Sequence, residues 1–307
     1  MRASAEVAQF SVEELRLSLV SQSRLLWVQW WYVNEALIVN TEHLRLLAEL
    51  RVVVETQYAN GIGLQQNVLQ VQTREVELQH QRIVLNQEQR RLQSQINHLL
   101  NQPPTTALGP PLGDPEIPEL PDREVLEQWL LESHPSLLGL KAETNAARLN
   151  ILLTEKEDYP DLQFNLGYNE FWDASSQRLQ VGVSLNIPLD FGKRASRKAA
   201  AEYEYSSKRL DIVNLRSELM SELESQLSQS DQARHGIQLI DEELLPKVQQ
   251  TLNATMANYE SGGGNFYALI EAQEQLLNIE LLLSSSYAEQ FIALSEIDRL
   301  SGGQLWP

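Results

Sequence analysis

Five histidines, His43, His80, His98, His134 and His235, are where metal binding or acid–base chemistry would first be sought. None forms His-x-x-x-His, and none joins an Asp/Glu cluster with ligand spacing, so no metal site is expected. The chain has no Cys among its 307 residues. That removes disulfide frameworks, thiolate-held zinc, iron–sulfur clusters and thiol nucleophiles together. The one basic cluster, Gly192-Lys193-Arg194-Ala195-Ser196-Arg197-Lys198, is too short for a nucleic-acid patch and lacks interleaved aromatics. A phosphate loop is excluded because Gly-x-x-x-x-Gly-Lys-Ser/Thr does not occur. With 42 acidic against 24 basic side chains, a net charge of −18 also argues against nucleic acid as a partner. It suits an acidic face or a conduit preferring cations. No nucleophile or acid–base pair is specified, so the chain is expected to be neither an enzyme nor dependent on a cofactor. His134 before Pro135 reads as a helix start, because proline is preorganised for a first helical turn. Trp30 and Trp31 read as packing residues, Trp30 lying seven residues before Leu37.

The residues with the most distinctive spacing are glycines. Tyr58-Ala59-Asn60-Gly61-Ile62-Gly63 and Tyr259-Glu260-Ser261-Gly262-Gly263-Gly264 share a Tyr-x-x-Gly-x-Gly pattern 201 residues apart. The same offset pairs Leu69 with Ile270, Gln72 with Gln273, Glu88 with Glu289, Ile96 with Ile297 and Leu99 with Leu300. Carried upstream, it pairs Arg2 with Tyr203. This is the signature of a duplicated helical hairpin, each copy turning at glycines that accept φ > 0. Three consecutive glycines at 262–264 exceed what a turn needs, which points to close backbone approach by a partner.

These turns must be held by long helices. No proline occurs in residues 1 to 102, and a helix over about 3–58 would be roughly 80 Å long. Leu19, Leu26, Val33, Asn40, Leu47 and Val54 fall every seven residues; so do Val71, Leu78, Leu85, Leu92 and Leu99. Leu269, Leu276, Leu283, Gln290 and Ile297 repeat the pattern. Seven-residue spacing is that of coiled-coil-like seams. Between the copies, Pro103, Pro104, Pro110, Pro111, Pro115, Pro118 and Pro121 enforce an extended connector.

A different periodicity occupies the middle of the chain. Leu162, Phe164, Leu166 and Tyr168 alternate with Gln163, Asn165 and Gly167; Leu179, Val181, Val183, Leu185 and Ile187 alternate with Gln180, Gly182, Ser184 and Asn186. Period two means strands, each with one apolar face, bounded by Pro160 and Pro188. Such a hairpin belongs either to a bilayer-spanning barrel, with Phe171 and Trp172 as interfacial aromatics, or to a soluble protein that lays the apolar face on a helix. No signal peptide is visible at Met1-Arg2-Ala3-Ser4-Ala5-Glu6. The most apolar stretch, Leu25 to Val39, is interrupted by Gln29, Asn34 and Glu35 and is too short for a spanning helix.

Taken in order, these segments resemble the bacterial outer-membrane efflux proteins, the TolC-like channel components of tripartite pumps. The motifs are Ser133-His134-Pro135-Ser136-Leu137, Asp158-Tyr159-Pro160-Asp161-Leu162, Asn186-Ile187-Pro188-Leu189-Asp190-Phe191-Gly192-Lys193-Arg194, and Tyr259-x-x-Gly followed by Leu269-Ile270-Glu271-Ala272-Gln273. The resemblance implies a mainly α fold of long antiparallel coiled-coil-like helices, an α-barrel protomer, with one membrane-type β-hairpin. It implies a first helical hairpin over 1–101 with its tip at 58–63, and a Pro-rich equatorial connector over 102–122. Short equatorial helices would follow over 123–158, the β-hairpin over 159–190, a second helical hairpin over 191–302 with its tip at 259–264, and a tail over 303–307. It also implies a homotrimer in outer-membrane lipid, conducting exported substrates passively from an inner-membrane transporter and a periplasmic adaptor. Gly61, Gly63, Gly262, Gly263 and Gly264 would form the adaptor-docking tips. Glu271 would line the tip aperture, with Tyr259 and Asn67 forming a weakened lock through a hydrogen bond. Leu162, Phe164, Leu166, Tyr168, Leu179, Val181, Val183, Leu185 and Ile187 would face lipid. The family's other strand pair, first helix and signal peptide would precede residue 1, since three copies of one hairpin give too few strands to close the barrel. The alternatives are a soluble helical scaffold that binds partners through its tips, or a truncated relative that does not conduct.

Overall fold

The computed structural model describes residues 2–156, 159–168, 179–186 and 191–306. The elements in order are α1 (Arg2–Ala59), α2 (Gln65–Leu99), α3 (Arg123–Ser133), α4 (Pro135–Lys156), β1 (Asp161–Tyr168), β2 (Leu179–Asn186), α5 (Phe191–Leu239), α6 (Leu245–Glu260) and α7 (Phe266–Leu300). A π-turn, Ile240–Leu244, joins α5 to α6. The chain divides into two compact units, Met1–Glu14 with Leu131–Leu219, and Leu15–Leu130 with Met220–Pro307. The architecture is mainly helical with one small antiparallel sheet, as the periodicities require.

In the first unit, α4 starts where the sequence places a helix start. Pro135 opens it, and the His134 carbonyl accepts from Leu138 N–H at 3.1 Å. The Ser136 hydroxyl donates to Glu14 at 2.8 Å, and Lys208 pairs with Glu143 at 2.6 Å, tying α1 and α5 to α4. Lys198, from the basic cluster, pairs with Glu155 at 2.8 Å. β1 and β2 pair antiparallel with Leu162 opposite Leu185, Phe164 opposite Val183, Leu166 opposite Val181 and Tyr168 opposite Leu179.

In the second unit the heptad seams become the core. Leu47, Leu50 and Val54 of α1 pack with Val71 and Leu78 of α2 and with Tyr259, Phe266, Leu269 and Leu277 of the second hairpin. Farther along, Leu26, Trp30 and Val33 pack on Leu92, while Val28 and Trp31 pack on Ala288 and Phe291. Leu19, expected in the α1 seam, is exposed. The cluster at Leu26 already takes in Leu99, where α2 ends, so α2 has no side chain left to cover Leu19. Leu17 is buried instead, its Cδ2 lying against Gly303. Asn40, the polar break in the seam, is buried and donates from Nδ2 to the Leu78 carbonyl at 3.1 Å.

The proline connector is fastened by side chains rather than by secondary structure. Trp30 Nε1 donates to the Gly109 carbonyl at 3.2 Å; Gln93 and Asn97 donate to the Thr106 carbonyl at 2.7 and 2.8 Å. At the other end of α7, the buried Asp298 carboxylate receives Arg24 at 2.5 Å and the Leu305 N–H at 2.7 Å. The Arg24 guanidinium also lies 4.2 Å from the Trp306 ring centroid. No described helix is long and apolar enough to cross a membrane.

Candidate functional site

The two glycine tips are built alike. In the first, Gly61 has φ +73°, and its N–H donates to the Tyr58 carbonyl at 3.0 Å, while Asn60 and Ile62 donate to Thr56 and Gln57 at 3.1 and 3.0 Å. In the second, Gly262 has φ +81° and donates to Tyr259 at 3.1 Å, while Ser261 and Gly263 donate to Ala257 and Asn258, both at 3.1 Å. A helix closed this way ends on a left-handed residue, for which glycine carries no Cβ penalty. Gly63 and Gly264 serve a second need. A Cβ at Gly264 would lie 2.6 Å from Tyr259 N, and one at Gly63 would lie 2.9 Å from Tyr58 N. The turn itself thus requires two of the three glycines at 262–264. Of these three, only Gly263 is conformationally and sterically free to be another residue, since a Cβ there would come no nearer than 4.0 Å to the Asn258 carbonyl oxygen.

The tips differ in their tyrosines. Tyr259 is 6% exposed and packs on Phe266 with ring centroids 5.5 Å apart, whereas Tyr58 is 48% exposed. The Tyr259 hydroxyl donates to Gln57 Oε1 at 2.7 Å. Burial pushes the phenol above its ordinary range, and a hydrogen bond with Asn67 partly offsets this. The structure therefore brings Tyr259 and Asn67 together and adds Gln57, which the sequence did not single out. Nothing in the local pattern marks Gln57, because its partner lies in the other copy of the repeat.

Glu271 is exposed on α7, as is Ala268. Beside them, Arg74 of α2 pairs with Glu274 of α7 and, at 2.6 Å, with Glu77. Leu69, Tyr267 and Ile270 line the same groove. Deeper in the unit, His43 Nε2 lies 2.8 Å from a Glu280 oxygen, a buried imidazole joined to a carboxylate. Near the π-turn, Tyr287 is raised by burial and by the charges of Asp241 and Asp114, and Glu35 is raised by burial and by Asp114. Among the described residues, no group of three or more His, Asp or Glu is arranged to hold a metal ion.

The β-hairpin is the other candidate. Its register sets every apolar residue opposite an apolar residue, so Leu162, Phe164, Leu166, Tyr168, Leu179, Val181, Val183 and Leu185 share one face. All eight are exposed, from 53% at Leu185 to 77% at Phe164. No described helix covers that face, as the soluble alternative would require. Ile187, Phe171, Trp172 and Pro188 lie outside the described residues.

Comparison with known proteins decides the family. The model of the outer membrane efflux protein family matches residues 126–303, more than half of the chain. The chain belongs to the outer membrane efflux protein family. Similar to this chain is the cobalt-zinc-cadmium resistance protein CzcC of Cupriavidus metallidurans, 26% identical over 192 residues, 61% of this chain and 44% of CzcC. The chain thus spans less than half the length of that relative. Among solved structures, the outer-membrane channel OprN superposes with a TM-score of 0.86 at 19% identity, over 100% of this chain and 71% of OprN. VceC of Vibrio cholerae gives 0.85 at 17% identity, over 98% and 74%. CusC gives 0.85 at 16% identity, over 98% and 72%. These likenesses establish the TolC-like fold, with its long helical hairpins, for this chain.

Proposed function

We propose that the chain is the channel subunit of a tripartite efflux system, in which three copies form one outer-membrane conduit. Cargo handed over by an inner-membrane transporter and a periplasmic adaptor leaves through it passively. The observation that carries this reading is the hairpin face. Eight exposed apolar side chains on paired strands have no place in water, and a barrel strand presents such a face to lipid. In this reading residues 1–101 and 191–302 are the two tunnel hairpins, 102–122 and 123–158 the equatorial segments, and 159–190 the membrane hairpin. The tips at Gly61, Gly63, Gly262, Gly263 and Gly264 dock the adaptor. Glu271 of each copy lines the aperture, where like charges brought close favour cations. Tyr259, through Asn67 and Gln57, restrains the tip.

The name of CzcC makes cobalt, zinc and cadmium ions the first cargo to test, and an excess of 42 acidic over 24 basic residues suits a cation conduit. The test is Val183→Arg in the full-length protein, expressed in cells lacking their own channel. An arginine on the lipid face costs roughly 2–4 kcal/mol at mid-bilayer. The expected result is loss of the protein from the outer-membrane fraction and loss of metal tolerance. A variant that keeps both would overturn the reading.

A further inference from the structure

The two repeats do not match at one constant offset. On α1 the seam positions are Leu26, Trp30, Val33, Leu37, Asn40, Leu44, Leu47, Arg51 and Val54, alternating by four and three residues without interruption; Tyr58, next in that spacing, is exposed at the tip. Their counterparts on α5 and at the first residue of the π-turn are Ser230, Ala233, Ile237 and Ile240, of which Ser230, Ala233 and Ile240 are buried and Ile237 half-buried. These lie 200 residues after Trp30, Val33, Leu37 and Asn40. On α6 the inward positions are Leu245, Val248, Leu252, Thr255 and Tyr259, which lie 201 after Leu44, Leu47, Arg51, Val54 and Tyr58. Had the α5 spacing continued, the inward positions would be Leu244, Lys247, Thr251, Ala254 and Asn258. Four of these, Lys247, Thr251, Ala254 and Asn258, are exposed. The slip of one falls within Ile240–Leu244, where the Leu245 N–H bonds back to the Ile240 carbonyl in place of an i−4 partner.

We infer that the second repeat carries one residue more than the first, and that the π-turn absorbs it so that the tip keeps its phase. An extra residue in a continuous α-helix rotates everything beyond it by about 100°. A single π-turn takes up one residue locally and leaves the helices on both sides α. The consequence reaches the tip. The slip puts Tyr259 rather than Asn258 on the inward face, where its hydroxyl meets Gln57. The offset of 201 found at the tips therefore does not hold over Ser230 to Ile240. Pro246, at the start of α6, is a competing cause of an irregular helix. A proline explains a kink, but it does not move the buried positions by one along the rest of the helix.

The test is made in the full chain carrying Pro246→Ala, so that the proline's own effect is removed. Deleting Glu242, exposed in the π-turn, is expected to convert the turn to α-helix and leave the tip in phase. Its thermal midpoint should stay within about 3 °C of the Pro246→Ala parent. Deleting Thr41, the exposed residue at the same level of the first repeat, has no π-turn to relieve it and is expected to lower the midpoint by more than about 10 °C. If both deletions cost alike, whether both are harmless or both are ruinous, the inference is overturned. Pro246→Ala alone supplies a second reading: the buried pattern from Val248 to Tyr259, followed by hydrogen exchange, should persist. A return of protection to the phase of Lys247 and Thr251 would make the proline the cause.

Discussion

The Tyr259 hydroxyl donates to Gln57 Oε1 at 2.7 Å, joining two residues 202 positions apart in sequence across the two glycine tips. Tyr259→Phe keeps the ring against Phe266 and removes only this bond. The expected cost is about 1 kcal/mol, the net value of a typical intramolecular hydrogen bond. Thermal unfolding measures it. If the chain conducts as proposed, single-channel recording on the full-length protein should also show a higher open fraction.

The same phenol gives a pH dependence. Its folded pKa lies above the ordinary value of 10.0, chiefly through burial. The unfolded chain therefore releases the proton first as pH rises. The stability contributed by the buried, protonated phenol is fully present below about pH 10 and is lost as pH climbs through the folded value above it. Denaturant titrations from pH 7 to 11 should show parent and Tyr259→Phe differing below pH 10 and converging above it.

The three glycines of the second tip are expected to respond differently to alanine. Gly264→Ala drives a Cβ to 2.6 Å from Tyr259 N, and Gly262→Ala places alanine at φ +81°. Each should cost about 1–3 kcal/mol. Gly263→Ala, without either conflict, should lie within about 0.5 kcal/mol of the parent. Equal losses at all three, measured by denaturant midpoint, would contradict the division of labour within the turn.

Asp298 anchors the chain beyond α7 through Arg24 and the Leu305 N–H. Asp298→Ala strands a partly buried guanidinium, and removing one partner of a buried pair costs about 3 kcal/mol. Asp298→Asn retains an acceptor for the backbone N–H and should cost less. Protease cleavage within residues 301–306 should be fastest in the alanine variant.

Asn40 occupies a seam position, donating to Leu78 while its own Oδ1 has no hydrogen-bond partner among the described residues. A polar residue in a heptad seam fixes register at a cost in stability. Asn40→Leu is therefore expected to raise the thermal midpoint by about 2–4 °C, roughly what 1 kcal/mol gives in a protein of this size. A lower midpoint would show that the bond to Leu78 outweighs the stranded acceptor.

Much of this was legible because it is local. Seven-residue spacing fixes which helix face is apolar, period-two alternation fixes a strand's two faces, and a residue forced to φ > 0 selects glycine. The hairpin turns at Gly61 and Gly262, the proline connector, the helix start at Pro135 and the apolar faces of β1 and β2 follow from these rules without a partner being known. The one-residue slip at Ile240–Leu244 is local too, yet the matching Tyr-x-x-Gly-x-Gly tips drew the offset of 201 past it. Tertiary structure alone decided the pairings. Gln57 accepts from Tyr259, Arg74 meets Glu274, His43 meets Glu280 and Arg24 meets Asp298 because helices distant in sequence lie side by side. Periodicity says which face of a helix turns inward. Which helix it meets, and at what level, depends on packing between segments whose relative placement no single stretch of sequence encodes.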